Sequence, residues 1–122
     1  MVQLRSILSS ADNTGVKRLM VIQVMGGWKR HSGTMGDVVN VVVKEAAPDG
    51  TVKKGEMAKA VLVRTRKESR RKDGSYVRFD DNAAVIIDAQ GNPRGTRIFG
   101  PVSREVKEAG FNKIASMAKE LV

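Results

Sequence analysis

The sequence predicts a small all-β domain, its strands closed into a barrel, with a basic hairpin arm and two short helices toward its C-terminal end. Three observations lead there. Apolar, β-branched runs follow one another through tight turns, with no alternation of strand and helix. Asp73-Gly74, the strongest short hairpin signal, sits in the most charged stretch of the chain. Beyond about residue 100 the apolar spacing changes from strand-like to helical.

In chain order, Gln3–Ser9 is a plausible short strand and ADNTG (11–15) a turn. Val16–Val24, VKRLMVIQV, is rich in β-branched and aliphatic residues and reads as a strand. GGWKRHSGTMG (26–36) is a glycine-rich basic loop, and Asp37–Ala46 is strongly strand-like. APDG (47–50) has Pro, Asp and Gly where a turn uses them. Met57–Thr65 and Val77–Asp88 are two further strands, joined through the charged hairpin. AQGNPRGTRIFGP (89–101) is a loop, with Ile98 and Phe99 expected to plug the barrel end. Pro101 and Gly110 bracket a first helix; Phe111, Ile114, Ala115, Ala118 and Leu121 line one face of a second. A barrel has no free edges, and the helices are expected against one end of it. The chain reads as a single domain over 1–122, with the barrel over about 1–100, the arm over 64–80 and the helical segment over about 101–122.

The 122 residues, 41% of them hydrophobic, suffice for a real core, and with only 4% aromatics that core must be aliphatic. Net charge is +9. Such an excess in a small domain points to an anionic partner, nucleic acid before membrane. Cysteine is absent, which removes disulfides, thiol nucleophiles and zinc ribbons. The first residues carry no apolar run of signal-peptide or membrane-span length, so the expectation is a soluble, cytoplasmic protein.

The charge concentrates. Arg64 to Arg78 holds seven Lys or Arg (Arg64, Arg66, Lys67, Arg70, Arg71, Lys72 and Arg78) against two acids. A two-residue turn at Asp73-Gly74 would place Leu62 opposite Val85, Val61 opposite Ile86, Arg66 opposite Asp81 and Lys67 opposite Asp80. Strand alternation then puts Arg64, Arg66, Arg70 and Lys72 on one face, Lys67 and Arg71 on the other. Neither face of the tip suits a core, so the inner half of the hairpin is barrel wall and the outer half a projecting arm. Its Arg and Lys side chains match phosphate oxygens. The alternative is a solvated arm whose charge only prevents edge-to-edge aggregation. Lys29 and Arg30, on flexible backbone, and Lys53 and Lys54, in a turn, are further phosphate-binding candidates; the alternative for each segment is a plain surface loop or turn. Trp28 fits stacking on a base or capping of the barrel, and Tyr76, opposite Arg71, fits stacking or stiffening of the turn.

The order Ala60-Val61-Leu62-Val63, a nine-residue basic gap, Asp73-Gly74, Phe79, Asn82 and Val85-Ile86 resembles the large-subunit ribosomal protein fourteen family in its bacterial form. ADNTG, KEAAPDGTVKKGE and GTRIFGPVSRE extend the resemblance over essentially the whole chain. It implies a five-stranded β-barrel with a projecting ribbon and small C-terminal helices, bound to large-subunit ribosomal RNA on the face toward the small subunit. It also implies contacts with large-subunit proteins three and nineteen, intersubunit bridges to small-subunit RNA, and docking of a ribosome-silencing factor. Thr96, Arg97 and Lys113 match the family's factor-docking face. Trp28, His31-Ser32, Asn112 and Lys119 depart from the usual pattern.

Rival functions fare worse. A free single-strand-binding barrel needs aromatics aligned on a strand face, and Trp28, Tyr76, Phe79, Phe99 and Phe111 do not share a strand. An enzyme needs convergent groups. The single His31 has no carboxylate to orient it, Asp80 and Asp81 point to opposite faces, and no phosphate loop is present. No cofactor or metal is expected.

Overall fold

The computed structural model describes residues 2–26 and 32–122. The strands are β1 (Val2–Gln3), β2 (Ile7–Ser10), β3 (Val16–Val24), β4 (Ser32–Gly33), β5 (Val38–Ala46), β6 (Met57–Arg64), β7 (Ser69–Arg70), β8 (Tyr76–Val77) and β9 (Ala83–Ile87), followed by α1 (Arg104–Glu108) and α2 (Asn112–Met117). Five of them close a barrel in the order β2-β3-β5-β6-β9. The seam is a parallel pair, with Ser9 opposite Ala83 and Ser10 opposite Ala84. β1 pairs with β4, and β7 with β8, as separate two-stranded ladders.

Two expected strands are each split. The first breaks at Leu4-Arg5, where Arg5 takes a φ of 70 and Ser6 N–H closes a turn onto Gln3 O at 3.0 Å. The stretch expected as Val77–Asp88 breaks between β8 and β9. There Asn82 serves two neighbours: its side chain accepts from Arg66 N–H at 2.8 Å, and its carbonyl accepts from Ser9 N–H at 3.0 Å. The chain thus leaves the arm and turns onto β2.

The barrel interior is filled by the inward side chains of the strands, among them Leu8, Leu19, Val21, Val39, Val41, Val43, Leu62 and Ile86. Alternation sends Val61, Val63, Ala83, Val85 and Ile87 to the outside of β6 and β9, yet these too are buried. They meet Ile98, Val102, Val106 and Ile114 in a second cluster. The two helices therefore lie on the outer face of β6 and β9 rather than against a barrel end. Ile98 joins this outer cluster instead of plugging the barrel, and Phe99 is 53% exposed. Each such side chain is worth about 1.5–3 kcal/mol of burial, which holds helices of five and six residues that would not form alone.

Asp12, in the turn after β2, is 4% exposed. Its Oδ1 accepts from Ser10 Oγ at 2.6 Å and Thr14 Oγ1 at 2.7 Å; its Oδ2 accepts from Ile86 N–H at 3.0 Å. A buried carboxylate is tolerated only when hydrogen-bonded in this way. Here it ties the turn to β9 beside the seam.

Candidate nucleic-acid interface

The hairpin register differs by one residue from the expected one. Val61 faces Val85 and Ala60 faces Ile86, while a shift between Leu62 and Arg64 leaves Arg64 opposite Ala83, its expected partner; in the arm, Ser69 faces Val77 and Arg70 faces Tyr76. In the arm the cause is the turn. Arg71 N–H donates to Ser75 O at 2.8 Å and Gly74 N–H to Arg71 O at 3.0 Å, enclosing a three-residue loop, Lys72-Asp73-Gly74. Gly74 has a φ of 88, the left-handed residue that ends such a loop. Asp73 Oδ1 accepts from Ser75 Oγ at 2.6 Å and Ser75 N–H at 3.0 Å. Those bonds hold the exposed Asp73 carboxyl below its usual value. Tyr76 therefore stands opposite Arg70 and is exposed rather than packed.

The expected charge pairing is not formed, because residues 78–82 leave the ladder between β8 and β9. Asp81 pairs with Arg64, not Arg66: Nε and Nη2 of Arg64 reach its two carboxylate oxygens at 3.1 and 3.3 Å. Arg64 Nη1 donates to Phe99 O at 2.9 Å and Pro101 O at 3.1 Å. Arg64 is 9% exposed and acts as an internal clamp between β6 and the segment leading to α1. Gly100 permits this, since a Cβ there would run into the guanidinium and its φ is 79. Arg71 is likewise turned inward. Its Nε donates to Glu105 Oε1 at 2.8 Å and its Nη2 to the backbone oxygen of Val122, so the arm is tied down at its tip onto α1.

The remaining cations of the run face water. Arg66, Arg70, Lys72 and Arg78 are exposed, and among the described residues none has a hydrogen bond or ion pair from its cationic end. Lys67 is exposed too and pairs with Glu68 at 3.0 Å; that contact holds the Glu68 carboxyl below its usual value. Lys53 donates through Nζ to Pro48 O at 2.8 Å, and Lys54 is exposed. Lys29 and Arg30 lie outside the described residues, as does Trp28.

Two cations escaped the sequence reading. Lys17 and Arg18, on β3, line a groove with Arg66, Asp80, Asp81 and Asn82, so barrel wall and arm base share one concave, charged surface. Alternation from Leu19 would turn Lys17 inward, but an irregularity in the ladder between Val16 and Arg18 leaves both exposed, and the fold brings them beside Arg66.

A second exposed feature is the loop before α1. Asn13 Oδ1 accepts from Thr96 N–H at 2.8 Å and Arg97 N–H at 3.1 Å, and its Nδ2 donates to Thr96 Oγ1 at 2.8 Å. The turn at 11–15 thus fixes both residues on the surface. Thr96 and Arg97 line a groove with Phe99, Met117 and Lys119. Lys113 is exposed on α2 but does not line that groove.

The whole chain, residues 1–122, matches the family described as ribosomal protein L14p/L23e. It is 59% identical over 121 residues to the large ribosomal subunit protein uL14 of Petrotoga mobilis, an alignment covering 99% of each chain.

Proposed function

The chain belongs to the ribosomal protein L14p/L23e family, a structural rather than enzymatic member of the large ribosomal subunit working in the cytoplasmic ribosome, and on that premise we propose how it holds its partners. It grips large-subunit ribosomal RNA through the solvent-facing cations of the arm: Arg66, Lys67, Arg70, Lys72 and Arg78. Lys17 and Arg18 extend the grip along the barrel wall. Lys53 and Lys54, with Lys29 and Arg30, supply further phosphate contacts. Arg64 and Arg71 drop out of this set, because their donors are already engaged within the protein.

One observation carries the reading. A single short ribbon, anchored at its base by Arg64 and at its tip by Arg71, turns its other cations outward, and of these only Lys67 has an ion-pair partner among the described residues, its neighbour Glu68. Anchoring at both ends lowers the ordering cost of binding a folded RNA. The resemblance adds bridges to small-subunit RNA, contacts with large-subunit proteins three and nineteen, and docking of a silencing factor on Thr96, Arg97 and Lys113.

The test is a titration of folded large-subunit RNA against salt. Converting Arg66, Arg70 and Lys72 to Gln should flatten the dependence of log K on log salt by about 3, at roughly one unit for each phosphate no longer neutralised. An unchanged slope sinks the arm as the RNA-gripping element. Preference for a homopolymer strand over folded RNA would favour the free single-strand-binding barrel instead.

A further inference from the structure

Asn13 is exposed in the ADNTG turn and bonds across the fold to the loop before α1. The orientation of its amide is fixed. Oδ1 faces two backbone donors, Thr96 N–H at 2.8 Å and Arg97 N–H at 3.1 Å, and only the carbonyl oxygen of the amide can accept. Nδ2 is thereby turned onto Thr96 Oγ1 at 2.8 Å, where it donates. An amide nitrogen cannot accept, so the Thr96 hydroxyl proton points away from Asn13.

The loop itself is secured by its backbone. Phe99 N–H donates to Ala11 O at 2.6 Å, and Asp12 pairs with Ile98 in a single antiparallel bridge. Gly95 permits the close approach, since a Cβ there would lie 2.7 Å from Asn13 Oδ1. A carboxylate at position 13 would serve the two N–H donors equally well. What the amide adds is the direction of the Thr96 hydroxyl.

Thr96 lines the groove with Arg97, Phe99, Met117 and Lys119, and no carboxylate lines it among the described residues. Arg97 and Lys119 are exposed. An outward O–H beside these cations suits an anionic oxygen. The apolar Phe99 and Met117 favour a protein carboxylate, carried on methylenes, over a hydrated phosphate.

We propose that Asn13 is a positioning residue. It holds the Thr96 hydroxyl as an outward donor for a carboxylate of the protein partner, a role that rests on the reading of Thr96, Arg97 and Lys113 as the factor-docking face.

The test titrates purified silencing factor onto the folded chain. Thr96→Val removes the donor but keeps the backbone bonds to Asn13, and should weaken binding by about tenfold, the loss of one hydrogen bond to a charged group. Thr96→Ser should recover most of that loss. Asn13→Asp still accepts from both N–H groups but draws the Thr96 proton inward, and should weaken binding by a similar factor. The two changes together, Asn13→Asp with Thr96→Val, should weaken it no more than either alone. Additive losses, or full binding by Thr96→Val while Arg97→Ala weakens it, overturn the proposal and leave the docking face standing. Full binding by Thr96→Val, Arg97→Ala and Lys113→Ala alike, or none by the parent, overturns the docking face and the proposal with it. Loss of ribosomal RNA binding in Asn13→Asp with factor binding intact overturns the proposal as well.

Discussion

The outer surface at Val61–Val63 of β6 and along β9, and the outer surface of β2, β3, β5 and the first residues of β6, belong to the same closed sheet, but the chain covers the first with its own helices and, among the described residues, leaves the second bare. On the covered side the outward residues are Val61, Val63, Val85 and Ile87, all buried under Val102, Val106 and Ile114. On the bare side the outward residues mix Ile7, Met20, Val42 and Met57 with Arg18, Lys44 and Lys59. The difference is written in the strands. Continuous apolar runs mark strands buried on both faces, as in Ala60–Val63 and Ala83–Ile87; β3 and β5 carry apolar runs too, but their outer face also bears Arg18 and Lys44. Apolar content on the covered side serves stability. On the bare side the same kind of residue packs only against its cross-strand neighbours, with no helix of the described residues over it.

The largest effect should come from thinning the covered side. Ile114→Ala removes a fully buried anchor of α2 and should cost about 2–5 kcal/mol in denaturant unfolding, whereas Met57→Ala on the bare side should stay within about 0.5 kcal/mol. Equal costs would erase the distinction between the two faces. Next come the clamps. Gly100→Ala forces a left-handed backbone and displaces Arg64, at about 1–3 kcal/mol. Arg64→Gln leaves the carbonyls of Phe99 and Pro101 short of a donor, at a similar cost of about 1–3 kcal/mol. Either variant unfolding like the parent would show that Arg64 is no clamp.

Smaller still is the stability effect of converting the outward cations Arg66, Arg70 and Lys72 to Gln. The melting profile should change by no more than about 0.5 kcal/mol while the salt dependence of RNA binding flattens. A large loss of stability would place these residues with Arg64 and Arg71. Smallest is the turn itself. The Asp73 carboxyl is held below its usual value, so its bonds to Ser75 are complete at neutral pH and above the ordinary carboxylate range. They are lost as pH falls through the depressed value. The Ser75 amide resonance should follow that acidic transition, and Asp73→Asn should abolish it.

Much of the architecture was legible in the residues. β3 was predicted with both ends correct, and β5 and β6 within one residue. Val61, Val63 and Val85 announced a wall covered on both sides, because no other arrangement accommodates so long an apolar run. What failed was register and destination. Asp73-Gly74 fits a two-residue and a three-residue loop equally well, and the choice turns on Asp73, which does not take the positive φ that a two-residue I′ turn demands of it. Asp81 meets Arg64 rather than Arg66 because it lies in the break between β8 and β9, off the ladder that the sequence pattern assumes. Nor could charge alone separate the cations that clamp from those that face water. Arg71 and Arg70 are neighbours in sequence, but only α1 supplies Glu105 to one of them. Lys17 and Arg18 were overlooked because their nearness to Arg66 is a property of the closed barrel, not of any local pattern.

The parallel seam between β2 and β9 has a consequence for the order in which the molecule can assemble. Asp12 and Ile86, which meet beside that seam, are 74 residues apart in the chain. During synthesis β2 can pair with β3 early, but its other edge must wait for almost three quarters of the polypeptide to emerge. Closing so long a loop is slow, and a strand left open in the meantime is exposed to pairing with other chains. The N-terminal edge of this protein is thus at its most vulnerable before the barrel exists, and a late-arriving strand ends that vulnerability.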